Sequence, residues 1–312
     1  MPIRQELGTG IPDIECFVRT VDLGSFAAVA VEIGLTPSGV SRIVSRLEDR
    51  LGVKLIHRTT RRLALTPEGE TFLAHARGIL SAVEVAHAAV ASTHGRARGH
   101  IRLNSGTAFA KHRLAGLLPD FIAQYPDITI DLSVSDQRID PIAERVDVTI
   151  RVGALADSEL IAVRLGEVRR VIAASPRYLA VNGTPRKPAD LLRHNCLLFS
   201  FSRVPQWPLF ENGKRVLVAA KGNVTSDSAE LLLDLALAGI GILRLGDFLG
   251  ESALAQGQLI PLLADCHDDD PQPITALLLP DRQSIPRVRA LVDFLKVRLQ
   301  ERVVAGSPAT PT

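Results

Sequence analysis

The first sixty-six residues carry three successive helical patterns of apolar positions. The first pattern runs within residues 11–22 at i, i+3, i+4 and i+7, with Ile14, Phe17, Val18 and Val21. Such spacing places the apolar side chains on one helix face. A second helix is predicted between Ser25, a good N-cap, and Gly34, a good C-terminal stop; its apolar positions are Phe26, Val29, Ala30 and Ile33. A short turn then leads to the third pattern.

The third helix is predicted to begin at Thr36, an N-cap, followed by Pro37 at the first helical position. Its predicted buried face consists of Val40, Ile43, Val44, Leu47 and Leu51. Its other side carries Ser38, Ser41, Arg42, Ser45 and Arg46. Short serines permit close approach to DNA while arginines reach base edges or phosphates, so the pattern favours a helix in the major groove. A plain solvated helix face is the alternative.

Two short strands, 53–58 and 63–65, are predicted around a basic tip at 59–62. Between Thr36 and Thr66 there are seven Lys or Arg and two acidic residues, a local charge of +5, whereas the whole chain carries only +2. Arginines on such a hairpin, or wing, suit the minor groove, and Arg61 and Arg62 are the candidates. We interpret His57 as a packing residue or a phosphate contact.

A set of short motifs in this region resembles the LysR-type transcriptional regulators. The motifs are SFAAVA at 25–30, LTPSGVSR at 35–42, RLE at 46–48, LGVKL at 51–55, HRTTRR at 57–62 and LTPEG at 65–69. The resemblance implies DNA contacts from Thr36, Pro37, Ser38, Ser41 and Arg42, with Arg61 at the wing. Pro37 replaces the glutamine that many relatives have there. We add the basic residues Arg46, Arg58 and Arg62 to the DNA-contacting set.

One long helix is predicted from Pro67 to about Ser92. Its apolar stripe has no core of its own, so the same helix of a second chain is the simplest cover, and packing onto its own domains is the alternative. The resemblance implies that this helix pairs two subunits. We therefore expect a homodimer, assembling further into a homotetramer, that binds a roughly palindromic site.

After a basic, glycine-containing hinge at 94–99, strands alternate with helices. The first α/β unit has predicted strands at 101–103, 128–134, 146–152 and 161–165, and helices at 113–125 and 141–145. The second has predicted strands at 168–174, 197–201, 215–219, 240–243 and 259–262, and a helix at 228–238. The strand 274–279 and the helix 287–299 have no obvious partner in the second unit, so we expect them to return to the first.

The predicted fold class is thus α/β overall, with a winged helix-turn-helix, a linker helix and a two-lobed effector domain. We expect the DNA-binding domain at 1–66, the linker helix and hinge at 67–98, and the effector domain at 99–312. Lobe one comprises 99–167 with 273–304, and lobe two comprises 168–272. The resemblance implies a periplasmic-binding-protein-like fold for this domain.

Small ligands bind where two such lobes face each other. Ser105 and Thr107 follow the first strand and offer hydroxyls and backbone N–H groups to an anionic group. Phe201, Ser202 and Ser226 are the expected residues of the opposing lobe. Helix capping is an equally good interpretation of Ser226 and Ser228. For Arg151, a structural ion pair is preferred over a ligand contact.

No metal site, cofactor or membrane segment is expected. Cys16, Cys196 and Cys266 are far apart and lack zinc-ligand spacing, so buried thiols are expected, with a redox pair of Cys196 and Cys266 as the alternative. The acidic run 268–270 is interpreted as a solvated linker. The N-terminus lacks the apolar segment of a secretion signal, and a cytoplasmic location is expected.

The sequence therefore predicts a regulator that binds promoter DNA, responds to a small-molecule effector of unknown identity and acts alongside RNA polymerase. The alternative is an enzyme built on the α/β half, but neither a catalytic triad nor a phosphate-binding loop followed by lysine is found. A sequence-blind architectural DNA protein would not need over two hundred residues of cleft-forming domain.

Overall fold

The computed structural model describes residues 10–58, 63–91, 97–137, 141, 144, 146–155, 158–200, 206–268, 271–280 and 282–305. The chain divides into two compact units, Met1–His94 and Gly95–Thr312.

The first unit begins with three helices, α1 (Gly10–Leu23), α2 (Phe26–Ile33) and α3 (Pro37–Leu51). The side chain of Ser25 caps α2, and Gly34 ends it in a left-handed conformation with φ of 68°. Thr36 caps α3 by accepting the backbone N–H of Gly39 at 3.1 Å, with Pro37 in the first turn. These boundaries confirm the capping residues predicted from the sequence.

The core of the first unit joins the three helices. Its fully buried side chains include Phe17, Val29, Val40, Val44 and Leu47. The prediction that Leu51 is buried is wrong, because 40% of this residue is exposed. It is the last residue of α3, at the point where Gly52 turns the chain away with φ of 72°.

The strands β1 (Ile56–Arg58) and β2 (Leu63–Leu65) pair antiparallel, as predicted for the wing. The predicted tip, with Arg61 and Arg62, lies outside the described residues. The helix α4 (Pro67–Ala91) follows as one continuous helix. Leu73 and Ala76 in its first half pack into the core of this unit, whereas Ile79 is 44% exposed.

The second unit contains two five-stranded sheets. The strands of the first sheet are β3 (Gly99–Ser105), β4 (Ile128–Val134), β5 (Val148–Val152), β6 (Ile161–Val168) and β14 (Gln272–Leu278). Their order across the sheet is β4-β3-β5-β14-β6. The strand β3 pairs in parallel with β4 and β5, while β14 pairs antiparallel with β5 and β6.

Two helical segments pack with the first sheet. The segment after β3 runs as α5 (Thr107–Phe109), a π-helical turn (Ala110–Leu114) and α6 (Ala115–Gln124). The last helix, α10 (Pro286–Ala305), packs against β6 and meets α6 through the rings of Phe121 and Phe294, whose centroids lie 5.3 Å apart. We call this sheet with its helices lobe one.

The strands of the second sheet are β7 (Arg170–Ala174), β8 (Cys196–Phe199), β11 (Thr225–Ser226), β12 (Ile242–Gly246) and β13 (Ile260–Leu262). Their order across the sheet is β11-β8-β12-β7-β13. The helices beside it are α7 (Pro176–Asn182), α8 (Ala229–Leu237) and α9 (Asp247–Ala255), and a separate hairpin joins β9 (Gln206–Glu211) to β10 (Lys214–Ala219). We call this part lobe two. The chain passes from lobe one to lobe two between β6 and β7, and returns before β14.

Some elements differ from the prediction. The strand β9 and the helices α7 and α9 were not predicted. The predicted helix at 141–145 is not supported by its described residues, because Pro141 and Glu144 lie in turns and the other three fall outside the described part of the chain.

Across the described residues, no single helix has the length and apolar composition needed to cross a membrane. Only α2 and α3 taken together, bent by 105° at their junction, pass that test of length and composition.

Candidate nucleic-acid interface and effector cleft

The solvent face of α3 carries the predicted DNA-contacting residues of the first unit. Ser38 and Arg42 are exposed, and Ser41 is half-buried. The Nε atom of Arg42 makes a long contact of 3.5 Å to the carbonyl of Ser38. Thr36 and Pro37 are exposed at the helix start, although the Thr36 hydroxyl oxygen is also the helix cap. This face can therefore approach a DNA groove closely and extend a cation into it.

Arg46 occupies the same helix but is held by an acid from α1. Its Nη2 and Nε atoms donate to the two carboxylate oxygens of Asp13 at 2.5 and 3.2 Å. Arg50 approaches the same carboxylate at 3.6 Å. The hydrogen bonds that Arg46 donates to Asp13 raise the pKa of its guanidinium above the ordinary value. Sequence reasoning missed Asp13, although it lies four residues before the buried Phe17, on the buried stripe of α1.

Glu48 is a second buried acid that the sequence analysis did not single out. Its Oε1 accepts hydrogen bonds from the backbone N–H groups of Leu55 and Ile56 at 2.9 and 3.2 Å. Its Oε2 accepts a hydrogen bond from the Lys54 ammonium at 2.8 Å. Burial by itself raises the pKa of Glu48, but these three hydrogen-bonding partners lower it below the ordinary value. The carboxylate thus ties α3 to the start of the wing.

In the wing, the backbone of Arg58 pairs with Leu63 at the end of β1, next to the tip. The other predicted wing contacts, Arg61 and Arg62, fall outside the described residues. On the first unit, the structure therefore brings Ser38, Ser41, Arg42 and Arg46 onto one helix.

On lobe one, Ser105 ends β3 and is fully buried. Its hydroxyl donates to the carbonyl of Gly106 at 3.3 Å. The backbone N–H of Thr107 donates to a carboxylate oxygen of Asp136 at 2.9 Å. The N–H group that was predicted to hold an anionic ligand group is therefore already occupied by an acid of the chain itself.

On lobe two, Ser226 ends β11, and its hydroxyl accepts the backbone N–H of Ser228 at 3.0 Å. Ser228 in turn caps α8 by accepting the N–H of Leu231 at 3.3 Å. The capping interpretation of Ser228 is confirmed. Phe201 and Ser202 lie outside the described residues.

Arg151 lies near the end of β5, and its ion pair stays a prediction. Its guanidinium donates to the carbonyls of Ile150 and Gln137, each at 3.2 Å. The bond to Gln137 attaches the end of β5 to the segment that follows β4.

The two lobes meet through charged side chains that the sequence analysis missed. Lys111 and His112, in the π-helical turn of lobe one, contact the carboxylate of Glu230 on α8 at 2.8 and 2.7 Å. Arg113 pairs with Glu251 on α9 at 2.8 Å. Burial raises the pKa of Glu230, but its bonds to Lys111 and His112 lower it below the ordinary value. The basic run 111–113 signalled charged side chains a few residues after the predicted cleft strand, but it did not identify their partners on lobe two.

The cysteines and acidic side chains are the candidates for metal binding or redox chemistry. Among the residues that the structure describes, no group of three or more His, Cys, Asp or Glu is placed to hold a metal ion. All three cysteines are free thiols. Burial raises the pKa of Cys196 to about 12, which opposes the thiolate that redox chemistry needs.

Two family models match the chain. One, a bacterial regulatory helix-turn-helix protein of the lysR family, matches residues 11–70, and the other, a LysR substrate binding domain, matches residues 94–300. The chain is 37% identical over 295 residues to the HTH-type transcriptional regulator CrgA of Neisseria meningitidis serogroup C, covering 92% of this chain and 96% of the relative. It is 31% identical over 281 residues to the HTH-type transcriptional activator AaeR of Escherichia coli K12, covering 89% and 90%.

A solved structure gives the same result. The structure of CrgA from Neisseria meningitidis, described as a LysR-type transcriptional regulator, superposes with a TM-score of 0.61 at 36% identity, covering 92% of this chain and 98% of that one.

Proposed function

The chain belongs to the LysR family of transcriptional regulators, and we propose that it reads promoter DNA through the N-terminal half of α3 and the wing. It is a DNA-binding regulator with an effector-binding domain, and its relatives are named as regulators, so the enzyme alternative is dropped. The contacts are assigned to Thr36, Pro37, Ser38, Ser41, Arg42, Arg46, Arg58, Arg61 and Arg62. The proposed boundaries of the DNA-binding, linker and effector parts are those predicted from the sequence.

The observation that carries this proposal is the exposed Arg42 beside small hydroxyl side chains. Val40 and Val44 on the opposite face of α3 are fully buried, so the helix is fixed while Arg42 projects outward. Ser38 and Ser41 are too short to hold the helix away from the floor of a groove. An arginine so placed can donate two hydrogen bonds to guanine in the major groove.

We propose that α4 pairs two subunits. Beyond the part that packs into the first unit, α4 presents exposed apolar side chains at Ile79, Ala82 and Ala86. Exposed apolar positions at helical spacing are typical of a seam between two helices. A homodimer, assembling further into a homotetramer, places recognition helices on successive turns of the DNA.

The effector is proposed to bind between the lobes of the second unit. Ser105 and Thr107 stand on lobe one, and Ser226, with Phe201 and Ser202, on lobe two. The contacts of Glu230 with Lys111 and His112 cross between the same lobes, so a ligand that changes the angle between the lobes also strains or relaxes these ion pairs. We propose that this change in the angle between the lobes alters the contacts with promoter DNA and the access of RNA polymerase to the promoter. The regulator is proposed to act in the cytoplasm.

Selection of bound duplexes from a random-sequence DNA pool tests this function. We expect the full chain to enrich sites with interrupted dyad symmetry. Binding to the enriched duplex should persist in a large excess of scrambled competitor DNA. Enrichment of no common sequence would contradict specific recognition. Screening a metabolite library for a rise in the melting temperature of the full chain then identifies the effector.

A further inference from the structure

Asp13 places a buried carboxylate directly behind the arginines of α3. The residue is 2% exposed, although it is an acid in the first turn of α1. A carboxylate withdrawn from water needs charged partners, and Asp13 has Arg46, which donates hydrogen bonds to it, and Arg50, whose Nη1 lies 3.6 Å away. Both partners belong to the helix that carries the proposed DNA contacts.

One edge of the Arg46 guanidinium contacts Asp13, and the rest of the group faces solvent. A guanidinium has five N–H donors in a fixed plane. The edge formed by Nε and Nη2 grips the two oxygens of Asp13, while 63% of the Arg46 side chain stays exposed. The remaining N–H donors are therefore held in a fixed orientation without being consumed.

We propose that Asp13 is a positioning residue that sets the discrimination between specific and random DNA, a role that rests on the proposed function of α3. By fixing the Arg46 guanidinium, it directs the free donors to one phosphate position and so fixes the register of the helix on the duplex. Its negative charge also offsets one of the two arginine charges. This lowers the sequence-independent attraction, which grows with every uncompensated cation.

The chain offers a matched control in Asp49, an exposed acid on the same helix as Arg46. Asp13→Asn and Asp49→Asn each raise the net charge by one, but only the first removes the carboxylate that grips Arg46. The probes are a duplex enriched by the wild-type protein and a scrambled duplex of equal composition. The affinity of each variant for both duplexes is measured over a range of salt concentrations.

For Asp13→Asn, we expect the ratio of specific to random affinity to fall by about ten-fold, the scale of one base contact, because a helix without a fixed register misplaces its base contacts. For Asp49→Asn, both affinities should rise together and leave the ratio within about two-fold, because only the general attraction changes. Equal ratios for the two variants would overturn the positioning role and reduce Asp13 to a structural ion pair.

Arg46→Lys keeps the charge but cannot make the two-pronged contact, so it provides a second route to the same answer. We expect it to reproduce the loss of discrimination, and the double variant Asp13→Asn/Arg46→Lys to be no worse than either single variant. Additive losses would overturn the proposal. If Asp13→Asn melts below the assay temperature, the same comparison is made at a lower temperature at which the variant is folded. A wild-type protein without preference for its enriched duplex would instead overturn the proposed function.

Discussion

The Oε1 atom of Glu48 accepts the backbone N–H of Leu55 at 2.9 Å, and so connects the buried side of α3 to the chain entering the wing. Glu48→Ala removes this acceptor and leaves the N–H groups of Leu55 and Ile56 buried without it. We expect a loss of about 1 to 3 kcal/mol in the free energy of unfolding of the first unit, measured by urea titration. Asp49→Ala, an exposed neighbour, should change stability by less than about 0.5 kcal/mol. Equal effects of the two substitutions would contradict the role assigned to Glu48.

The same carboxylate predicts a pH dependence. The pKa of Glu48 in the folded chain lies below the ordinary value of 4.5. Its stabilising contribution is therefore fully present above about pH 4.5 and is lost as the pH falls through the lower folded value. The difference in unfolding free energy between wild type and Glu48→Gln should shrink in that window and stay constant above it. A difference that grows toward acid pH would have the wrong sign for this account.

Local signals predicted most of the first unit. The Thr36 cap, Pro37 and Gly34 act within a few residues, so the sequence alone places the ends of α2 and α3. Periodicity also defines a buried face, but not how far the neighbouring elements extend along it, which is why Leu51 was assigned wrongly. Periodicity likewise treats acids as surface residues. Asp13 is buried because Arg46, 33 positions later, pairs with it, and Glu48 is buried because the chain after α3 folds back to supply its partners.

In the second unit, the sequence analysis missed one local signal, and one contact could not have been predicted from the sequence. Asn212 and Gly213 have positive φ values of 53° and 73° and form the turn between β9 and β10. An Asn-Gly pair between two strand-like segments is a strong hairpin signal, so β9 was predictable. The contact of Glu230 with Lys111 and His112 was not, because it joins residues more than a hundred positions apart and depends on how the lobes are placed.

The proposed seam on α4 predicts the effect of a charge at Ile79. Ile79→Asp should convert dimers to monomers, since a carboxylate in an apolar seam would lose its water without gaining a partner. Because Ile79 is exposed within the single chain, the substitution should not unfold the protein, and a monomer would therefore reflect loss of the seam. Light scattering measures the mass, and Thr71→Asp, at an exposed position on the same helix, is the control. A persistent Ile79→Asp dimer would place the seam elsewhere.

The thiols should differ in reactivity. Cys16 and Cys196 are buried and Cys266 is half-buried, and burial raises the pKa of each. We expect iodoacetamide at pH 8 to modify Cys266 first, and the other two only after unfolding, as mapped by peptide mass spectrometry. Rapid native modification of Cys196 would revive the redox alternative.

The central claim is that the exposed side of α3 reads DNA sequence, and the affinity of Arg42→Ala for the enriched duplex tests it most directly. Arg42 is exposed and the buried face of α3 does not depend on it, so the variant should keep the wild-type melting temperature. Specific binding should weaken by about 1 to 3 kcal/mol if the contact is to a base, with a smaller change on scrambled DNA. A folded Arg42→Ala protein that binds the enriched duplex with wild-type affinity would contradict the account.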